Sequence, residues 1–166
     1  MPQTLLALFA LVCATYYTST RQRVIVDDQV RLIYNEVELI GASVAVDRLE
    51  EISSKEFDQA TIGSPTLTAA SQLTATASFG KEAGDNNDID DFQNGVDTLL
   101  RKAGTATLRF RVQTTVAYGA ETSPETVSTA STKVKTVTAT VRSLDVVVPS
   151  SVTLKRSFTC GSDCAW

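Results

Sequence analysis

The feature that most constrains this chain is the long segment without proline near its N-terminal end, residues 3–62. Gly41 is the only glycine between residue 3 and Ile62. Proline inside a helix removes a backbone donor and clashes with the preceding turn, so its absence lets one helix continue. We therefore predict a single helix over residues 1–57, about 80 Å long at 1.5 Å per residue if it is straight. A domain of this chain length does not need a helix that long for its own core.

The first part of the predicted helix, residues 1–23, is mostly apolar. No residue before Arg21 carries a charged side chain. A helix that is apolar on all sides must be enclosed by lipid or by other protein, so a membrane anchor and a buried helix within an assembly both stay open. A cleaved secretory signal is disfavoured because the positively charged start of such signals is missing. The large apolar side chains of this segment are Leu5, Leu6, Leu8, Phe9, Leu11 and Val12.

The second part, residues 24–57, is amphipathic. Apolar residues recur there at steps of three and four, which is the spacing of one helix face. We expect this stripe to pack on the C-terminal part of the same chain. Its members are Val26, Val30, Ile33, Val37, Ile40 and Val44, and a second stripe contains Ile25, Leu32, Leu39 and Val46.

The composition excludes several classes of function. The chain has no histidine, which rules out Ser-His-Asp triads, Cys-His pairs and zinc sites that need histidine. Its three cysteines are too few for a four-cysteine metal site. A net charge of -4 argues against a dedicated nucleic-acid binder, which needs clustered lysine and arginine. We therefore predict that the chain is not an enzyme, has no cofactor and binds no nucleic acid.

Residues 58–103 are predicted to be a connecting loop. Residues 61–79 are rich in threonine, serine and alanine, and this composition favours a solvated loop, with O-linked sugar as the alternative. An acidic stretch follows, in which Asp85, Asp88 and Asp90 could offer oxygen ligands to calcium. Its spacing does not fit an EF-hand loop, so a turn in which Asp and Asn cap the backbone is the favoured interpretation.

Residues 104–166 are predicted to form an antiparallel β-sheet. Apolar and polar residues alternate over residues 105–118, with Leu108, Phe110 and Val112 on one face. Residues 133–142 alternate in the same way, residues 146–148 form a short strand, and residues 152–159 form the last strand. The fold class is therefore α+β, with three or four antiparallel strands covered on one face by the second part of the helix.

The chain ends on two cysteines, Cys160 and Cys164. Their spacing allows a small disulfide loop in an oxidising compartment, and the alternative is a pair of free thiols. Cys13 lies within the apolar run and is interpreted as a small buried hydrophobic residue.

Three segments resemble the type IV pilin and pseudopilin superfamily. Residues 45–58, AVDRLEEISSKEFD, are similar to the end of the long helix in minor pilins and pseudopilins. Residues 88–95, DIDDFQNG, resemble the acidic, glycine-ended loop that precedes the first strand in such proteins. Residues 133–141 and 152–159 resemble their closing hairpin, and the general layout covers the whole chain.

This resemblance implies a structural subunit of an extracellular, type IV pilus-like filament on the surface of a prokaryote. The apolar N-terminal segments of many identical subunits would form the core of a helical polymer. Before assembly, the same segment would lie in the inner membrane, and pilus assembly machinery would be the partner. Two alternatives are a minor pseudopilin of a type II-like secretion apparatus and a membrane-anchored binding or adhesion module that does not polymerise.

The chain departs from the family pattern at two places. Mature pilins usually carry glutamate at their fifth residue, whereas this chain has Leu5. Two arginines, Arg21 and Arg23, follow the apolar run closely, and in a filament they would need carboxylate partners because a buried, unpaired charge is costly. Asp27 and Asp28 of a neighbouring subunit are the candidates for this pairing.

Overall fold

A computed structural model describes residues 2–63, 66–80, 86–146 and 151–166, with the side chains of Pro2 and Leu5 also outside the description. The chain divides into two units, one ending at Val37 and one running from Glu38 to Trp166. The predicted long helix is confirmed as α1, Pro2–Ser53. It ends at Ser53 rather than at residue 57, and its last turn tightens as the backbone N–H of Ser54 bonds the carbonyl of Glu51.

The second unit is built on a five-stranded antiparallel sheet. The strands follow the order β1-β2-β4-β5, and β3 pairs with the end of β2. Val112 of β2 faces Val141 of β4, and Val137 of β4 faces Arg156 of β5. The strands are β1 Val96–Ala103, β2 Ala106–Ala120, β3 Ser123–Val127, β4 Val134–Ser143 and β5 Val152–Thr159.

The alternation predicted for β2 is confirmed. Phe110, Val112, Thr114 and Val116 are buried, whereas the alternate residues, Arg109, Arg111, Gln113 and Thr115, are exposed. Successive side chains of a strand point to opposite faces, so this pattern gives the sheet one apolar face.

The second unit's part of α1 covers that face. Val44 and Ile52 are fully buried there. A methyl group added at Gly41 would lie 3.4 Å from Val152 and 3.8 Å from Phe110, so the helix backbone comes close to the sheet at this position. The predicted packing of the amphipathic stripe is therefore confirmed for the residues that follow Glu38.

Two boundaries drawn from the sequence are wrong. β1 lies inside the segment that was predicted to be a connecting loop up to residue 103. The sequence did not reveal this strand because its charged and apolar residues do not alternate cleanly. β3 lies inside the connection predicted between β2 and β4. The short strand predicted at residues 146–148 lies mostly outside the described residues.

The connecting segment also contributes to the core. Leu67, Leu73 and Phe79 are buried, although residues 61–79 were predicted to be a solvated loop. Threonine and serine dominate the composition there, and they conceal three widely spaced apolar side chains. Residues 66–80 therefore pack on the second unit and are not fully solvated. They include the short 3-10 turns Ala70–Gln72 and Thr76–Ser78.

Candidate functional site

The first unit presents large apolar side chains that are exposed in the described part of the chain. Phe9 is 69% exposed and Leu8 is 64% exposed. Leu6, Leu11 and Val12 are exposed to a similar degree. Soluble proteins rarely expose a continuous apolar surface of this kind unless it binds something. The predicted core segment is thus accessible as a surface, apart from Leu5, whose side chain lies outside the described residues.

In the following turns of α1, threonine hydroxyls donate hydrogen bonds to backbone carbonyls of the preceding turn. The hydroxyl of Thr15 donates to the carbonyl of Val12 at 2.9 Å, and the hydroxyl of Thr20 donates to Tyr16 at 2.7 Å. Thr18 donates in the same way to Ala14 at 3.0 Å. A hydroxyl that bonds the preceding turn can be buried at little cost, because it leaves no donor without a partner. The surface that can be buried therefore extends well beyond the hydrocarbon run.

The four charged residues predicted to act between subunits lie on the same unit. In the described part of the chain, none of Arg21, Arg23, Asp27 and Asp28 has an ion-pair partner, and the guanidinium of Arg21 rests 5.2 Å from the ring of Tyr17. The arginines precede the aspartates by four to seven residues. At 1.5 Å per residue, a second copy displaced along the helix by about 6–10 Å would bring opposite charges level.

Ion pairs in the second unit, by contrast, are made within the chain. Arg101 on β1 reaches Asp47 on α1 at 2.7 Å, and Arg109 on β2 reaches Asp145 at 2.6 Å. Arg48 pairs with both Glu51 and Asp97. Three of these pairs hold residues that are far apart in sequence.

A charged cluster lies in the interior of the second unit. Lys135 on β4 is fully buried, and its ammonium group donates to the carboxylate of Asp58 at 2.8 Å, to the carbonyl of Phe57 at 2.7 Å and to the carboxylate of Asp90. Asp58 and Asp90 are buried as well. We call Lys135, Asp58, Asp90 and the nearby Asp88 the buried charged cluster.

Aromatic rings surround the ammonium group. The Nζ atom of Lys135 lies 4.8 Å from the ring centre of Phe57, 5.2 Å from that of Phe79 and 5.6 Å from that of Tyr118. Ring faces attract a cation and exclude water at the same time. The cluster is therefore a dry site in which the charges interact at low dielectric.

The acidic members of the cluster differ in how they are held. Asp58 accepts hydrogen bonds from the backbone N–H of Ala60 at 3.1 Å and from the hydroxyl of Thr74 at 3.0 Å. Burial, together with the neighbouring carboxylate of Asp90, raises the pKa of Asp88 from its ordinary value of 3.8 to about 7. Burial also raises the pKa of Asp90, although the charge of Lys135 opposes this. The second oxygen of Asp88, Oδ2, is buried without a hydrogen-bond partner.

The residues considered for calcium fall into two groups. Asp85 lies outside the described residues. Asp88 and Asp90 belong to the buried charged cluster. There the ammonium group of Lys135 contacts Asp90 and occupies the position that a metal cation would need. Among the residues that the structure describes, no group of three acidic, histidine or cysteine side chains could hold a metal ion.

The disulfide predicted between Cys160 and Cys164 is present, with their Cα atoms 5.8 Å apart. The loop it closes holds the connecting segment, because the backbone N–H of Leu67 bonds Asp163 at 2.8 Å and that of Ala165 bonds Leu67 at 2.9 Å. Cys13, which was interpreted as buried, is exposed on the isolated chain as a free thiol.

Sequence reasoning missed the buried charged cluster, although one signal for it was available. Lys135 is in phase with Val137, Ala139 and Val141, which are the inward-facing residues of β4. A lysine at such a position needs a buried partner. Nothing local identified that partner, because Asp58 and Asp90 are 77 and 45 residues away.

In comparisons with known proteins, the chain matches no protein-family model, no curated protein and no solved structure. Within the described ranges, no helix combines the length and the apolarity needed to traverse a lipid bilayer.

Proposed function

We propose that this protein is a structural subunit that polymerises into a pilin-like extracellular filament through its apolar N-terminal segment. The observation that carries the proposal is the uncovered apolar surface of the first unit, beside a second unit that has a core of its own. The role is structural, and the chain is not an enzyme.

Burial energy supports polymerisation as the use of this surface. Removing a large apolar side chain from water is worth about 1.5–3 kcal/mol. Leu6, Leu8, Phe9, Leu11 and Val12 are all exposed in the single chain, so packing them against copies of themselves would hold a polymer strongly. A contact between different faces of identical subunits propagates as a helix whenever its rotation does not close a ring.

The charges on the same unit support a defined register. Arg21 and Arg23 of one subunit pair with Asp27 and Asp28 of a subunit displaced along the helix axis. This pairing sets the displacement, whereas the apolar contacts alone would tolerate sliding. Charged pairs contribute specificity of this kind more than they contribute raw affinity.

The resemblance to type IV pilins extends the proposal to the path of assembly. Before polymerisation the uncharged segment lies in the inner membrane of a prokaryote, and assembly machinery transfers it into the filament. Because residues 1–26 contain no carboxylate side chain, recruitment relies on the apolar surface and on the charges from Arg21 onward.

The test is electron microscopy of filaments sheared from cells that produce the parent chain, the variant Leu8→Asp or the variant Leu100→Asp. Leu8 and Leu100 are exposed to nearly the same extent, 64% and 61%, but Leu100 lies on β1 in the second unit. We expect thin, uniform filaments from the parent and from Leu100→Asp, and none from Leu8→Asp.

Filaments that persist in Leu8→Asp would show that the N-terminal segment is not the assembly element. If the parent forms none, the protein is instead a minor pseudopilin or an anchored binding module. Equal loss in both variants would mean that assembly depends on the two units alike, which contradicts the proposal.

A further inference from the structure

We propose that Lys135 and Asp90 join in an intramolecular amide bond, so that the mature chain carries a covalent cross-link in its core. The ammonium nitrogen of Lys135 contacts the carboxylate oxygen of Asp90, and both side chains are buried. Asp58 lies on the other side of the same nitrogen at 2.8 Å. A nucleophile, an acyl group and a proton acceptor therefore meet in one dry site.

The interior favours the uncharged acid from which an amide can be made. A carboxylate without water is unstable in a low-dielectric interior, so burial favours the neutral carboxylic acid. Burial raises the pKa of Asp90, which brings the acid form within reach. Below about pH 7, the raised pKa of Asp88 keeps a further negative charge out of the cluster.

Asp58 is suited to accept the proton that Lys135 must lose. Its carboxylate accepts hydrogen bonds from the backbone N–H and the hydroxyl of Thr74, and from the backbone N–H of Ala60. These hydrogen bonds hold the Asp58 carboxylate beside the ammonium group of Lys135, within reach of its proton. In the proposed reaction Asp58 therefore acts as the base, whereas Asp90 supplies the carbon that is attacked.

The reaction is a condensation that balances without an oxidant or a co-reactant. The ammonium group of Lys135 passes one proton to Asp58, and the amine lone pair attacks Cγ of the neutral Asp90 carboxyl. The nitrogen then gives a second proton to the departing hydroxyl, which leaves as water. An N–C bond replaces a C–O bond, and Asp58 ends as the neutral acid.

Two physical factors favour completion. Groups held in contact react with a high effective concentration, because the entropy of bringing them together is lost during folding. The product also replaces buried charges with a neutral amide, which removes their desolvation penalty. The cross-link would tie the 3-10 turn Asp90–Phe92 to β4, across 45 residues of chain.

The direct test is the intact mass of the full chain, purified in detergent and reduced so that the disulfide does not contribute. We expect a mass lower than the sequence mass by one water molecule. Fragmentation of proteolytic peptides should then show the segment of Asp90 joined to that of Lys135. A mass equal to the sequence mass, or a link to Asp58 instead, overturns the proposal.

Three variants make the test specific. Lys135→Met should restore the full mass, while Lys133→Met, a change of the same kind at a half-buried neighbour, should keep the deficit. Asp90→Asn preserves the shape of the residue, and its cross-linking would release ammonia in place of water. A folded Asp90→Asn variant that still loses water would show that residue 90 is not the acyl group.

Discussion

The two units of this protein use apolar side chains in opposite ways. In the second unit, Val44 and Ile52 of α1 are buried against the sheet, and Arg101 and Arg109 pair with carboxylates of the same chain. In the first unit, Phe9 and Val26 belong to the same helix but are exposed, and the charges have no partner among the described residues. The difference is the basis of our proposal that the second unit is complete in one copy, whereas the first unit packs against other molecules.

The most direct test of this comparison introduces the same charged residue into each unit. Val44 is fully buried and Val26 is 55% exposed, on one helix. Val44→Asp should lower the free energy of unfolding of the second unit by at least about 3 kcal/mol, because it buries an unpaired charge. Val26→Asp should change it by less than about 0.5 kcal/mol while reducing assembly. Denaturant unfolding followed by circular dichroism measures the first effect, and sedimentation of polymer measures the second. Equal unfolding effects would contradict the division into two units.

The cysteines allow a second comparison. Cys160→Ser opens the small loop closed with Cys164, and it should reduce the stability of the second unit by about 2 kcal/mol through the lost constraint on the unfolded chain. Cys13→Ser is the matched control in the first unit, and it should leave the thermal midpoint unchanged. Hydrogen exchange should also show weaker protection of Leu67, whose backbone bonds the loop. Unchanged protection in Cys160→Ser would mean that the loop holds its place without the disulfide.

The buried charged cluster predicts how stability depends on pH. The pKa of Asp88 is raised to about 7 in the folded chain, above its ordinary value of 3.8. The folded state therefore holds a proton that the unfolded state releases, and stability falls as pH rises from about 4 to about 7. Asp88→Asn should flatten this slope and raise stability at neutral pH by about 1–2 kcal/mol. Denaturant midpoints across this pH range measure it, with the exposed substitution Glu125→Gln as the control. A slope that Asp88→Asn leaves intact would assign the effect to other groups.

The smallest expected effect concerns the charges of the first unit. Reversing Arg21 and Arg23 to glutamate should weaken assembly by about 1 kcal/mol per contact, more at low salt than at high salt. Adding Asp27→Lys and Asp28→Lys should restore it, because the pairing is then only inverted. Critical concentration for polymerisation is the measurement. If the fourfold variant does not regain the critical concentration of the parent chain, these residues do not pair. Arg109→Glu, which removes a pair made within the second unit, should leave the critical concentration unchanged.

Much of the fold could be predicted because local patterns carry it. Proline-free sequence predicts α1, and alternation predicts β2, β4 and β5. β1 was missed because Asp97, Arg101 and Lys102 mask its alternation, and it is recognised only through its pairing with β2. The apolar candidate surface was predicted from composition alone, since a run of hydrocarbon needs no knowledge of distant residues.

The position at which α1 becomes buried depended on the tertiary structure. The helical period of α1 is similar on both sides of Glu38, so no local pattern marks where its apolar face becomes buried. That point is decided by where the sheet lies.

The sequence alone therefore determined the helix, most of the strands, the disulfide spacing and the apolar segment, because each depends on residues that are near one another in the chain. Only the tertiary structure decided that Lys135 meets Asp58 and Asp90, and that Leu67 and Phe79 enter the core. Burial of a charge, and the chemistry it allows, depends on partners brought together from distant segments, and local patterns do not encode those partners.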